Sequence, residues 1–234
     1  MTPTSDFDPT KAAQAYLPLM HEFAIRADLV SRAFDGRLGL TAPFSREFAY
    51  LQFRRMCELI ALGSLYLHGD LPNAQQRALT KEWNAERLMK LLHRQHPFAY
   101  PQAIERTKTE NGWHIQANCK PDALTYSEFL KLYAECGALL HRGTIRTVQA
   151  TSFCSPEDYE KTVLWQRKLV TLMNEHLIPR AKTNGCYITS LRTDSGYPEC
   201  SIFAFTEAGE ASVYTQKMTI SDDVVHSYVS NHST

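Results

Sequence analysis

The chain reads as a mainly α protein with a small β part (α+β). The expected form is a helical bundle with an inserted β-hairpin and a C-terminal antiparallel three-stranded meander. Three observations predict this. Long segments before residue 180 repeat apolar residues at helical spacing and open on capping signals. Asn111-Gly112 sits between two alternating stretches and is a residue pair that suits a tight primed turn. From Cys186 onward the apolar period drops to two, and the links between runs are too short for parallel crossovers.

The elements follow in order. Residues 1–8 are polar and read as a disordered N-terminus. A helix over Pro9 to Phe34 carries Tyr16, Met20, Phe23, Ala27 and Val30 on one stripe. Pro18 should kink or divide it, and Gly36 and Gly39 mark its end. The next helix is the centre of the domain. It should start near Ser45 as cap, with Glu47 in its first turn, and stop at Gly69-Asp70 and Pro72. From Met56 its positions are apolar nearly all round, so it should be buried on every side. Shorter helices are expected over 74–83 and after Asn84, followed by a hairpin over 104–117. Thr125-x-x-Glu128 is a capping box, and Gly143 suits the C-terminal cap of the helix it opens. Ser155, Pro156, Glu157 and Asp158 start the last helix, which should run to just before Pro179. Strands follow at Cys186–Leu191, Cys200–Phe205 and Ser212–Met218. The bundle is thus assigned to 9–180, the meander to 181–220 and a flexible tail to 221–234.

Composition limits the function. Formal net charge is zero, from 25 basic and 25 acidic residues, which argues against a dedicated nucleic-acid coating protein. Locally, 77–108 is basic, and the stretch from Glu207 is acidic. The six cysteines lie at 57, 119, 136, 154, 186 and 200, without CxxC or zinc-like spacing, so reduced thiols in a cytoplasm are expected. No targeting segment, membrane association, metal or cofactor is expected. Walker A, GxGxxG, nucleophile-elbow and HExxH patterns are all missing from the sequence.

Three constellations could carry chemistry. Arg54 and Arg55 lie one turn before Glu58 on the central helix, as a structural ion pair or as an anion grip beside a desolvated base. His141 falls in the last turn of the helix that Thr125 opens, with Arg142 next to it. An imidazole there suits the helix dipole, and the same pair could act as proton shuttle and phosphate clamp, with Arg146 close in sequence. Arg87, His93 and His96 read as a solvated basic face, since Arg87 and His93 point about 240° apart on a helix. The meander aromatics Tyr187, Phe203, Phe205 and Tyr214 could stack bases, but alternation favours packing on the last helix.

Three strings, in order, carry a resemblance: FRRMCELIALGSLYLHG from Phe53, KEWNAERLMKLL from Lys81, and KLYAECGALLH over Lys131–His141. Across roughly 48–143 they resemble a group of uncharacterised bacterial proteins with LRKxxELIA and KLYxxCGxLLH patterns. More loosely, the chain is similar to HEPN-like helical domains of toxin–antitoxin and antiphage systems. That similarity implies RNases that act without metal through Arg-x4-6-His at a dimer interface. Arg87-x5-His93 meets this spacing, whereas at the later helix end His141 precedes Arg142.

Two functions follow as expectations. The first is a non-enzymatic bacterial interaction or regulatory protein, HEPN-like and defence- or toxin-associated, with a protein partner or a second copy. The alternative is a metal-independent, homodimeric ribonuclease acting on RNA through His141 and Arg142, with Arg54, Arg55 or Arg146 gripping the phosphate.

Overall fold

The computed structural model describes residues 7–71, 82, 84–110, 112–141, 154–204 and 216–219. Five helices are seen there: α1 Pro9–Phe34, α2 Ala42–Leu67, α3 Ala85–Gln95, α4 Tyr126–Leu140 and α5 Pro156–Asn174. Six strands, β1 Gln102–Thr109, β2 Gly112–Ala117, β3 Glu175–Pro179, β4 Gly185–Ser190, β5 Glu199–Ala204 and β6 Gln216–Thr219, form one sheet in the order β2-β1-β3-β4-β5-β6. Every pairing is antiparallel. The fold is therefore a mainly helical bundle with an inserted hairpin and a C-terminal antiparallel sheet. Expectations for residues 1–6, the helix over 74–83, the cap at Gly143, residues Phe205 and Tyr214, and the 221–234 tail lie outside the described residues.

Local chemistry explains the helix starts. Asp8 Oδ1 accepts from the backbone N–H groups of Thr10 (2.8 Å) and Lys11, and Pro9 then opens α1. Pro18 does not divide α1: the carbonyl it leaves unbonded belongs to the exposed Gln14, where water can reach it. Gly36 and Gly39, at φ 73° and 64°, turn the chain through the left-handed region towards α2.

The start of α2 differs from expectation. Its cap is Thr41, with Pro43 in the first turn, and Ser45 is already inside the helix with its hydroxyl donating to the Leu40 carbonyl at 3.3 Å. Glu47 therefore lies beyond the first turn, where the helix dipole gives it little. Asn84, Thr125 and Ser155 cap α3, α4 and α5, the last two as full capping boxes.

The sheet exceeds the expected three-stranded meander. Glu175–Pro179 reads from sequence as the end of a helix, yet it is a strand that starts directly after Asn174. It pairs with β4 on one side and with Gln102 and Ala103 of β1 on the other, which joins the hairpin to the meander. The hairpin register pairs Thr109 with Gly112, so Gly112 already belongs to β2 rather than to the turn.

One hydrophobic core runs from the helices into the sheet. Tyr16 and Phe23 of α1, Phe53 and Met56 of α2, Phe129 of α4, Leu169 of α5 and Tyr187 of β4 all belong to it. Tyr187 is thus core, as alternation suggests, and is no stacking platform. A second cluster, Ile104, Cys186 and Ile188, occupies the other side of the sheet. At the α1–α2 contact, Gly63 matters because a Cβ there would come within 2.8 Å of Tyr16 Cδ2. Beside it, the Tyr16 hydroxyl meets His176 Nε2 at 2.6 Å, and His176 Nδ1 faces the Met173 carbonyl at 2.9 Å.

The helix α2 is not buried on every side. It packs against α1, α3, α4 and α5, but Leu51 and Tyr66 keep 43% and 51% of their surface exposed. Apolar composition did not dictate burial here, because four neighbouring helices still leave one side of α2 uncovered. Among the described residues no helix is long and apolar enough to cross a membrane.

Candidate functional site

Glu58 is the ion-pair centre that its spacing suggests. Arg54 Nε lies 3.3 Å from its Oε1 and Arg55 Nη1 2.9 Å from its Oε2, and only 14% of the Glu58 side chain is exposed. The Arg54 guanidinium also lies over the Tyr133 ring, 4.8 Å from its centroid, and donates to the Tyr133 hydroxyl at 3.2 Å. Gly137 faces it, and a Cβ there would make only ordinary van der Waals contact with Arg54 Nη1, at 3.6 Å. Arg54 is thereby committed to Glu58 and to the face of α4, which leaves little of its charge for a phosphate. The Arg55 side chain is 58% exposed and could still meet an outside partner.

His141 lies just past the helix, not in its last turn. It is the C-cap of α4, extended at φ −93° and ψ 110°, with its backbone N–H bonded to the Gly137 carbonyl. The imidazole is exposed, and among the described residues it meets no acid, base or cation. Arg142 and Arg146, assigned to the same site, lie outside the described residues.

The role expected of His141 is filled at the end of α2. His68 is the C-cap there, fully buried, with Nδ1 2.8 Å from the Ser64 carbonyl and Nε2 3.1 Å from the Pro179 carbonyl. A neutral ring can donate to only one of these, whereas an imidazolium could donate to both. Burial dominates and pushes the His68 pKa down. The Ser64 and Pro179 carbonyls and nearby Asp70 work against it, and His96 works with it. The His96 ring lies 5.3 Å from that of His68, and its pKa is likewise lowered by burial.

Asp70 completes this corner: its buried Oδ1, like His96 Nε2, Arg180 Nε and the Tyr187 hydroxyl, has no hydrogen-bond partner among the described residues. Sequence reading used Asp70 only as a helix stop. The signal was nonetheless present: His68-Gly69 repeats the His-near-Gly pattern that drew attention to His141.

The basic-face reading of 87–96 is corrected. Arg87 is exposed and faces Glu82 at 3.6 Å, but His93 stacks on Tyr126, with ring centroids 4.4 Å apart and planes 16° off parallel. His96 turns inward instead. The two histidines therefore belong to a cleft and an interior corner, not to a solvated face. The cleft, of about 430 Å³, opens between the end of α3, the hairpin base and the start of α4.

No family model matches the chain, and no curated protein or solved structure does either.

The chemistry therefore rests on the geometry. All six cysteines are free, and burial raises the pKa of Cys57 well above the ordinary thiol value, of Cys136 to about 12, and of Cys186 and Cys200 to about 11. None of these four is an activated thiolate. Among the described residues no group of three or more His, Cys, Asp or Glu is placed to hold a metal. Nor do the described residues bring His141, Arg54 and an acid into one cleft.

Proposed function

We propose that this protein works by binding, as a non-enzymatic interaction protein, and that its partner surface is the outward side of α2. The observation that carries the reading is apolar exposure along one line of a helix. Phe44, Leu51 and Tyr66 are 59%, 43% and 51% exposed, with half-buried Phe48 and Leu62 between them. At about 100° per residue these positions fall within about 40° of one line, over about 33 Å of helix. Large apolar residues aligned in this way mark a contact surface more often than chance exposure does.

The occupant this surface suits is a second copy. Arg55 and Glu58 lie one turn apart at the middle of the line. Two α2 helices laid antiparallel would set Arg55 of each against Glu58 of the other and Leu51 against Leu62. An arrangement that complements itself in this way is what a two-fold interface requires. The bacterial defence or toxin-associated setting rests on the three resembling strings alone. A cytoplasmic location rests on the six free thiols.

Light scattering on the full chain tests this. The expected result is twice the 26.7 kDa chain mass, reduced to one chain mass by Leu51→Glu with the melting temperature unchanged. A single chain mass at every concentration would remove the reading. RNA cleavage that persists in EDTA and disappears in His141→Ala would replace it with the ribonuclease.

A further inference from the structure

The cleft at the base of the hairpin has the parts of a small-molecule site, and nothing about the α2 surface requires it. Its size, about 430 Å³, lies within the range of pockets that hold a single small ligand. Three kinds of group line it. The first is aromatic: Phe98 stands 60% exposed at its edge, and the His93–Tyr126 stack forms part of its wall. A planar ring can lie on such faces whatever its substituents.

The second is an amide pair. Asn118 Nδ2 donates to Gln102 Oε1 at 3.1 Å. That bond leaves Asn118 Oδ1 as a free acceptor and both Gln102 side-chain N–H groups as free donors among the described residues. Asn118 holds φ at +55°, a left-handed conformation uncommon outside glycine, and its backbone N–H is fixed on the Ala103 carbonyl at 2.8 Å. The backbone that carries the amide is thus fixed. A neighbouring donor and acceptor match the hydrogen-bonding edge of a nucleobase.

The third is charge. Lys120 lines the cleft and has no ion-pair partner among the described residues. His93 Nδ1, shielded from solvent and without a hydrogen-bond partner among the described residues, adds a further polar atom.

We propose that this cleft binds one nucleotide. The base lies against Phe98 and the His93–Tyr126 stack, its edge meets Asn118 and Gln102, and its phosphate meets Lys120.

Isothermal titration of the full chain with AMP, GMP, CMP and UMP tests the proposal, with ribose 5-phosphate and inorganic phosphate as probes lacking the base. At least one nucleotide should bind, and neither control should match it. Lys120→Gln and Phe98→Ala, with circular dichroism unchanged, should each weaken binding by about tenfold or more. Asn118→Gly keeps the backbone conformation and removes the amide, so it should alter the preference among the four bases. Leu51→Glu should leave the affinity unchanged, which separates this site from the α2 surface. A short single-stranded RNA that binds no tighter than the best mononucleotide identifies the free nucleotide as ligand, and tighter binding assigns the cleft to one nucleotide within a chain. Failure of all four nucleotides to bind at about 1 mM, equal binding of ribose 5-phosphate, or folded variants that bind as the parent does would each overturn the proposal.

Discussion

His176 is fully buried, accepts from the Tyr16 hydroxyl through Nε2 and donates to the Met173 carbonyl through Nδ1. Both bonds suit a neutral ring, and burial lowers its pKa from about 6.5 to about 4. The unfolded chain therefore takes up this proton first as pH falls. Stability from this residue is complete above about 6.5 and is lost between there and about 4, by on the order of 3 kcal/mol at most. Urea unfolding at pH 7, 6 and 5 should show the loss, and His176→Gln should unfold with a weaker pH dependence across that window. Tyr16→Phe strands the Nε2 lone pair and should cost about 1–3 kcal/mol at pH 7. The same reasoning separates two helix-end histidines. His68→Ala removes a buried ring with two carbonyl contacts and should cost about 1–3 kcal/mol, whereas His141→Ala, exposed, should stay within about 0.5 kcal/mol. Spacing could find the Arg54–Glu58 pair because both partners share one helix. It could not find the His68, Asp70, His96 and Arg180 corner, whose members come together only when β3 docks beneath the end of α2.

Helix starts were readable wherever a side chain does the capping. Asn84, Thr125 and Ser155 carry oxygens that bond the first free N–H groups, and each marks its helix correctly. Thr125→Ala should cost about 1 kcal/mol in chemical denaturation. The start of α2 was misplaced because Thr41 makes no side-chain cap bond, so Ser45 gave the louder signal. The strand β3 is hidden for a different reason: EHLIP follows α5 with no linking residue, and only its pairing on both sides makes it a strand. Between elements, the α1–α2 contact depends on a missing side chain. Gly63→Ala pushes a methyl group into the Tyr16 ring and should cost about 1–3 kcal/mol, more than the small gain in helix propensity returns. Thermal melts of this variant beside the parent would show it.

Across the molecule, one core joins α1, α2, α4 and α5 to the sheet, so the bundle and the meander should unfold together. Circular dichroism and tryptophan fluorescence, the latter reporting Trp83, Trp113 of β2 and Trp165 of α5 together, should follow the same transition. Separate transitions would show that the sheet is an independent unit. A charge tie between the two parts supports a single unit: Arg192 after β4 reaches Asp28 of α1. The same all-round apolar pattern that marked α2 as central also hid its open side. Hydrophobicity along a chain does not distinguish a residue covered by its own fold from one waiting for a second molecule.

The passage from α5 into β3 without an intervening residue has a further consequence for how this chain can change in length. A loop would absorb an added residue, but here a single insertion in α5 turns everything after it by about 100°. Ile178, which faces the core, and Leu177, on the other side of the sheet, would then exchange places, and the pairing with β1 would move with them. Insertion scanning should therefore find a silent zone at the hairpin tip beside Glu110 and a lethal one from about Leu169 to Pro179. Over generations the chain is free to grow at the first place and locked in step at the second.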